Sequence, residues 1–478
     1  MKSLFWCCLI ALGLTAGCSL APDYRRPPLE LPPAWNNAGA EALPETLEVR
    51  WWRRFDDAAL NALVEETLNH NRDLAAAAAR VDYARAQMGI ARAELLPLIG
   101  GQAEGVPVWV DNSRAQGATF PFSAGFSAGW ELDLWGKLRN ARDAAANRLL
   151  SSEAARQGLR LSLAGQTANS YFLLRSLDLQ LITAERTLRS REEALGIYTA
   201  RYEEGLINEL DLMRAKTEVE TAKTALYRTR VSRDAAESAL AALAGRSPRA
   251  IMDGHIKRGR DLEAIPTAPV IPAGLPSDLL ERRPDIREAE FALKAANADI
   301  GAARAAWFPS ISLTAMFGVV SDELHSLLKN PLQTWNYGLT GSVPLLDFGR
   351  VLYGVEAAEA GQREAVAVYE KTVQQAFRDM RDALTRQRES TNIVESLERT
   401  VRELRLAAEL ARTRYDNGYS SYLEVLDAER SLFDSEMSLA SARSDRLAAI
   451  VNVCVSLGGG WKDGGMQAED KSRSVNRP

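Results

Sequence analysis

Two stretches of this chain contain no proline: none stands between Pro121 and Pro248, and after Pro344 none recurs before the terminal Pro478. Proline in a helix interior removes a donor and clashes with the preceding turn, so these stretches are open to helices of unusual length. Cysteine is nearly as scarce. Of the four, Cys7, Cys8 and Cys18 fall in the first 18 residues and only Cys454 lies beyond them, which excludes a disulfide within the remainder. The three histidines, His70, His255 and His325, stand far apart without ligand spacing. No metal site or Ser-His-Asp set can be built from them, so no catalytic residue, metal or cofactor is expected. No run of 18 apolar residues occurs, which excludes a transmembrane helix. The net charge is only −5 and no basic stripe is interleaved with aromatics, so nucleic acid is not a partner to expect.

What is present is a duplication at a spacing of about 213 residues. Asn71-Arg72-Asp73-Leu74 returns as Arg283-Pro284-Asp285-Ile286, and Pro97 returns as Pro309. Leu134-Trp135-Gly136-Lys137 returns as Asp347-Phe348-Gly349-Arg350, and Arg201-Tyr202-Glu203-Glu204-Gly205 as Arg414-Tyr415-Asp416-Asn417-Gly418. A repeat this long is a duplicated structural unit, so the architecture is pseudo-twofold.

Inside the first proline-free stretch, Leu174, Leu177, Leu181, Ala184, Leu188, Leu195, Tyr198 and Tyr202 follow heptad spacing, with Arg191 the single miss. Val394, Leu397, Val401, Leu404, Ala408, Ala411 and Tyr415 follow it in the second copy. Alternating steps of three and four predict coiled coils. Past each glycine turn a second helix is expected, through Leu212, Ala215, Val219, Ala222 and Leu226 and through Val425, Ala428, Leu432, Ser435 and Leu439. A helix from near Gly136 to near Tyr202 would run on the order of 100 Å, and its return only about half that. Alanine-rich segments from Ala58 to Leu95 and from Asp285 to Trp307 are of a size to complete the length.

The strands differ sharply. From Phe120 to Leu132 the even positions are apolar and the odd ones small or polar, a period of two that no helix can carry. Ile311 to Val319 and Tyr337 to Leu345 alternate likewise; a fourth run, around Gly101 to Val110, alternates poorly. Each is about ten residues, the length a tilted strand needs to cross a bilayer. Four strands cannot close a barrel and an open edge cannot lie in lipid, so several chains must share one barrel; strand count alone allows two, three or four. The loops near Asp111 to Ala118 and Ser321 to Thr334 are expected to face outward.

The N-terminus agrees with an envelope address. Met1-Lys2, an apolar run from Leu4 to Leu14, and Thr15-Ala16-Gly17-Cys18 resemble a bacterial lipoprotein signal, with Thr15 where leucine is usual. The resemblance implies lipidation of Cys18 after removal of residues 1–17. Ser19 behind it favours the outer membrane.

The start Cys18-Ser19-Leu20-Ala21-Pro22-Asp23-Tyr24, the segment Trp51-Trp52-Arg53-Arg54-Phe55-Asp56-Asp57, the run Tyr422-Leu423-Glu424-Val425-Leu426-Asp427-Ala428 and the ending Leu457-Gly458-Gly459-Gly460-Trp461 resemble the outer-membrane factors of the TolC and OprM type, in their lipoprotein branch. Ala58 departs from that pattern, which often has proline there. The resemblance implies a mainly α protein with membrane β: duplicated helix-strand-helix repeats forming a trimeric 12-stranded β-barrel continuous with a long periplasmic α-helical coiled-coil barrel. Residues 18–57 would be the extended lipidated segment, 58–247 the first repeat, 248–283 the linker, 284–461 the second repeat and 462–478 a disordered tail. The function implied is the exit duct of a tripartite efflux pump in the outer membrane of a Gram-negative bacterium. Its partners would be two further copies, a periplasmic adaptor, an inner-membrane transporter and outer-membrane lipid. A type I secretion channel and a coiled-coil envelope scaffold are the alternatives, and membrane-length strands argue against the scaffold. Carried over by position, Leu423, Glu424 and Asp427 are the constriction candidates, and Asp211 and Tyr415 belong to the network that holds the inner hairpin shut. Ser420 stands where some members carry arginine, so the resemblance does not carry an ionic latch over to that point.

Overall fold

A computed structural model describes residues 19–32, 50–105, 108–112, 115–119, 122–266, 279–321, 324–329 and 332–459. The signal, Cys18, part of the 18–57 segment, residues 267–278 of the linker and the 462–478 tail lie outside them. Two compact units are present: the described parts of residues 1–29, 79–154 and 287–372 form one, and those of residues 30–78, 155–286 and 373–478 the other.

In chain order the elements are α1 (Ala58–His70), α2 (Arg72–Ala93), β1 (Leu98–Gly105), β2 (Val108–Asn112), β3 (Ala115–Thr119), β4 (Phe122–Leu132), α3 (Lys137–Glu203), α4 (Glu209–Leu243), α5 (Pro248–Met252), α6 (Leu279–Arg282), α7 (Pro284–Ala305), β5 (Ser310–Ser321), α8 (Leu324–Lys329), β6 (Leu332–Ser342), α9 (Arg350–Asp416) and α10 (Tyr422–Ser456). The long helices α3 and α9 have 67 residues each and their returns α4 and α10 have 35 each. At about 1.5 Å per residue each long helix runs on the order of 100 Å.

The first unit holds an antiparallel sheet in the order β1-β4-β5-β6, which leaves β1 and β6 as open edges. Its register lines up Phe126, Phe317 and Trp335, then Trp130, Leu313 and Leu339, on one face. These six side chains and Tyr337 are exposed, so this face of the sheet is apolar and nothing among the described residues covers it. At the strand ends Trp130 Nε1 donates to the Leu95 carbonyl at 3.0 Å and Trp135 Nε1 to the Pro309 carbonyl at 2.8 Å. Indoles with one apolar and one bonded edge suit a membrane interface. Among the described residues no helix is long and apolar enough to cross a membrane.

Three expectations are revised in detail. The poorly alternating fourth run is a shorter strand, β1, followed by a separate β2–β3 hairpin where an open loop was expected. The 321–334 loop carries the short α8. The alanine-rich segment from Ala58 is two helices, broken at Asn71, whose extended backbone lets its Oδ1 accept from the Asp73 and Leu74 amides.

The second unit makes the duplication physical. Asn71 Nδ2 donates to the Leu243 carbonyl at the end of α4 at 2.9 Å, and the repeat-related Arg283 Nη1 donates to the Ser456 carbonyl at the end of α10 at 3.3 Å. Gly245 and Gly458, with φ of 77° and 89°, end those helices against His70 and Arg282. Each repeat thus splices its returning helix onto the next one with one side chain and one left-handed glycine, and the α4 and α10 carbonyls left unpaired by helix geometry are satisfied.

The core of this unit gathers Trp51, Phe55, Leu60, Tyr171, Phe172, Leu240 and Val451. At its centre Asp57, fully buried, caps α1 by accepting from Ala59 and Leu60 through Oδ1, while Oδ2 accepts from the Tyr171 hydroxyl and the Arg260 amide. The Trp51–Asp57 segment is therefore an anchor holding the linker residues Gly259 and Arg260 against α1 and α3.

Candidate functional site: the hairpin turns

The turn from α3 to α4 spans Glu204–Asn208 and that from α9 to α10 spans Asn417–Ser421, each starting on a positive-φ glycine turn at Gly205 or Gly418. Asn208 caps α4 by accepting from the Asp211 amide at 2.9 Å. Ser421 occupies the same place before α10 without a side-chain cap.

Tyr415, in the last turn of α9, packs on Tyr198 of α3 and Tyr422 of α10, with ring centroids 5.9 Å and 5.5 Å away. Tyr198 and Tyr422 are 4.4 Å apart, and Ala215, Val425 and Leu426 complete the cluster. The Tyr415 hydroxyl is held above the usual phenol range by burial first and by the Asp211 carboxylate second, while Arg201 donates to it. Asp211 and Tyr415 are thus brought together. The Tyr422 hydroxyl is pushed up to about 12, by burial and then by the charge of Glu429. Arg201 also pairs with Asp416 at 3.3 Å, joining the ends of the two long helices.

Leu423, Glu424 and Asp427 are all exposed, on the side of α10 opposite the buried Tyr422, Val425 and Leu426. They share a face with one another and not with the tyrosine cluster. Asp427 lies near enough to raise the pKa of Arg430, whose main support is its bond to Glu218. Cys18 is outside the described residues.

Of the first heptad run, Leu174, Leu177, Ala184 and Tyr198 are buried, whereas Tyr202 is exposed. The missing heptad position is filled from an unexpected direction. Arg191 is 5% exposed and Glu218 of α4 is 4% exposed. The Arg191 guanidinium pairs with Glu218 at 3.4 Å and with Glu429 of α10 at 2.9 Å, and Arg430 of α10 bonds the other oxygen of Glu218. Charges are rarely this buried unless paired. A charged residue at a seam position was the only sequence signal of the group; Glu218, Glu429 and Arg430 carried none.

An edge-open sheet with an exposed apolar face, joined by continuous helices to two long helical hairpins, defines a membrane channel built from shared strands and coiled coils. A family model described as outer membrane efflux protein matches residues 63–246 and 275–459. The chain belongs to this family, and it serves as an outer-membrane exit duct for efflux. It is 35% identical to the cation efflux system protein CusC of Escherichia coli O6:H1 over 95% of this chain and 98% of that one. It is 36% identical to the solvent efflux pump outer membrane protein SrpC of Pseudomonas putida, covering 95% and 97%. Among solved structures, the Campylobacter jejuni CmeC outer membrane channel superposes with a TM-score of 0.88 at 26% identity, covering 96% of this chain and 98% of that one. The open state of the Neisseria gonorrhoeae MtrE outer membrane channel gives 0.82 at 32% identity, covering 93% and 99%.

Proposed function

We propose that three copies of this chain share one 12-stranded barrel and that its hairpin turns form a cation-favouring gate to which a periplasmic adaptor and an inner-membrane transporter deliver small molecules. The observation that carries the reading is the pair of open strand edges, β1 and β6, on a sheet with an apolar outer face. Unpaired backbone groups are costly in hydrocarbon, so each edge needs a partner edge, and further copies supply it. Cys18 carries acyl chains that tether the mature N-terminus to the inner leaflet of the outer membrane. Drugs, solvents and cations, the last two named for relatives, are the substrate classes in view.

At the gate, Glu424 and Asp427 recur around the threefold axis and bring up to six carboxylates into one throat, while Leu423 resists wetting when the gate is shut. A ring of one sign attracts counterions, so cations are favoured. Arg430 beside Asp427 tempers that field. Single-channel recording in planar bilayers tests it: Glu424→Ala with Asp427→Ala lowers the cation-to-anion permeability ratio. An unchanged ratio and unchanged conductance would return these residues to the role of solvated helix-start charges.

A further inference from the structure

The first unit begins with a strap that runs along α7. Ser19 Oγ donates to Asn140 Oδ1 at 3.0 Å, and Asn297 Nδ2 donates to the Pro22 carbonyl at 2.7 Å. Farther on, the Tyr24 hydroxyl and the Arg26 guanidinium donate to Glu290 at 3.3 Å and 2.7 Å. Partners that step back from Asn297 to Glu290 show that the strap descends α7 away from the sheet, so Ser19 stands at the end nearest it, beside the first turn of α3. Between the strap, α7 and α9 lies a cleft of about 360 Å³, a volume within the range of small-ligand sites.

Each wall of the cleft contributes a guanidinium: Arg25 from the strap, Arg304 from α7 and Arg363 from α9. Local carboxylates answer only part of this charge. Glu359 pairs with Arg304 at 2.8 Å, and Glu290 is taken up by Arg26 at 2.7 Å and Lys294 at 3.0 Å. Among the described residues the exposed Arg25 and Arg363 have neither a hydrogen bond nor an ion pair, and Asp23 is the one further carboxylate on the lining. Two unmatched cations against one carboxylate favour an anion, and a planar guanidinium takes phosphate oxygens two at a time.

The place of the cleft says which anion. Helix α7 runs into β5 through Trp307, Phe308 and Pro309; Trp307 and Phe308 are exposed, and Trp135 stacks on Phe308 at 4.7 Å. Aromatics so placed mark the boundary of the hydrocarbon. Arg304 lies about one turn below Phe308 and Asn297 about 10 Å farther, whereas the headgroup layer is roughly 5–7 Å deep on each side. The upper end of the cleft therefore lies at headgroup depth, and the long stems of Arg25 and Arg363 let their charges climb toward it. We propose that this cleft binds the phosphodiester headgroup of an anionic phospholipid of the phosphatidylglycerol class, with Arg25 and Arg363 holding the phosphate and Asp23 accepting from the glycerol hydroxyls. The bound lipid clamps the strap to α9 and so ties this end of the chain to the inner leaflet. The inference rests on the outer-membrane placement of the sheet, and on neither the gate nor the acylation of Cys18.

The test titrates the detergent-purified full-length protein with phosphatidylglycerol or with phosphatidylcholine and counts bound lipid by native mass spectrometry, which reads only assembled protein. The unsubstituted protein is expected to prefer phosphatidylglycerol. Arg25→Gln with Arg363→Gln should weaken that preference by about fivefold for each arginine lost, the equivalent of about 1 kcal/mol each. Should the double variant not assemble, either single variant serves, with about half the loss on a logarithmic scale. Arg92→Gln with Lys371→Gln removes two exposed cations of the same unit that do not line the cleft, and it should leave the preference unchanged. Glycerol 3-phosphate, which carries the phosphate without acyl chains, should not displace the lipid at millimolar concentration. Equal binding of the two lipids by the unsubstituted protein, a preference that survives in the Arg25 and Arg363 variants, or an equal loss in the Arg92 and Lys371 pair overturns the site. Displacement by glycerol 3-phosphate overturns the membrane as its source.

Discussion

Exchanging Asp57 for asparagine alters one heavy atom, yet it should unfasten the anchor of the helical unit. Asparagine caps a helix as well as aspartate does, so the bonds from Ala59 at 2.8 Å and Leu60 at 3.0 Å survive. The other oxygen does not survive. It accepts from the Tyr171 hydroxyl at 2.9 Å and the Arg260 amide at 3.0 Å, and an amide nitrogen in its place faces two donors with a third. The Tyr171 oxygen, which already accepts from the Gly259 amide at 2.9 Å, can take one hydrogen from the new amide, but the Arg260 donor is stranded. Two buried donors losing their acceptor, at about 1–3 kcal/mol each, give roughly 2–5 kcal/mol after that partial rescue. Asp57→Ala adds loss of the cap, about 1 kcal/mol more. Urea unfolding of the detergent-purified protein, followed by far-ultraviolet circular dichroism, should show both losses as lower midpoints at unchanged slope. A double-mutant cycle with Tyr171→Phe should give a coupling of about 1 kcal/mol or more, since the two side chains share one bond. An Asp57→Asn protein within about 0.5 kcal/mol of the original, or strict additivity with Tyr171→Phe, would refute the reasoning.

Gly245→Ala should be markedly destabilising and more so than Gly458→Ala: both residues have positive φ, but the added Cβ would lie 2.2 Å from the His70 carbonyl oxygen in the first case and 2.7 Å from that of Arg282 in the second. Thermal melts of the two variants check the order. Glu290 is desolvated, but bonds from Lys294 and Arg26 outweigh that and hold its carboxyl below the usual range. With a folded pKa below the unfolded one, its hold on the Tyr24–Arg26 segment, through bonds from the Tyr24 hydroxyl and the Arg26 guanidinium, is present above the ordinary glutamate pKa and disappears as pH falls through the depressed value. Hydrogen exchange at Tyr24–Arg26, corrected for intrinsic rates, should therefore accelerate at acid pH, and in Glu290→Gln it should be fast already at neutral pH. The Cys454 thiol, 1% exposed and pushed up to about 12 chiefly by burial, should resist maleimide at neutral pH and react once urea unfolds the chain. Rapid labelling of the native protein would contradict its placement.

Much of this protein is written in local pattern. Heptad steps, proline-free stretches and the glycines at 136, 205, 349 and 418 mark helices and turns because each depends on residues only a few positions apart. Period-two alternation marks β4, β5 and β6 for the same reason, and recurrence at about 213 residues forces both halves into one plan. The break at Asn71 was hidden, since alanine-rich sequence continues through it; only the carbonyl of Leu243, far along the chain, gives that side chain its purpose. Asp57 reads as an ordinary acidic residue until Tyr171 and Arg260 close around it. Arg191 was visible as a miss in a seam, but the carboxylates that make its burial tolerable come from two other helices, 27 and 238 positions away in sequence. Periodicity is set by neighbours along the chain and so belongs to the sequence; the pairing of a buried charge is set by neighbours in space, which only the packed hairpins bring together.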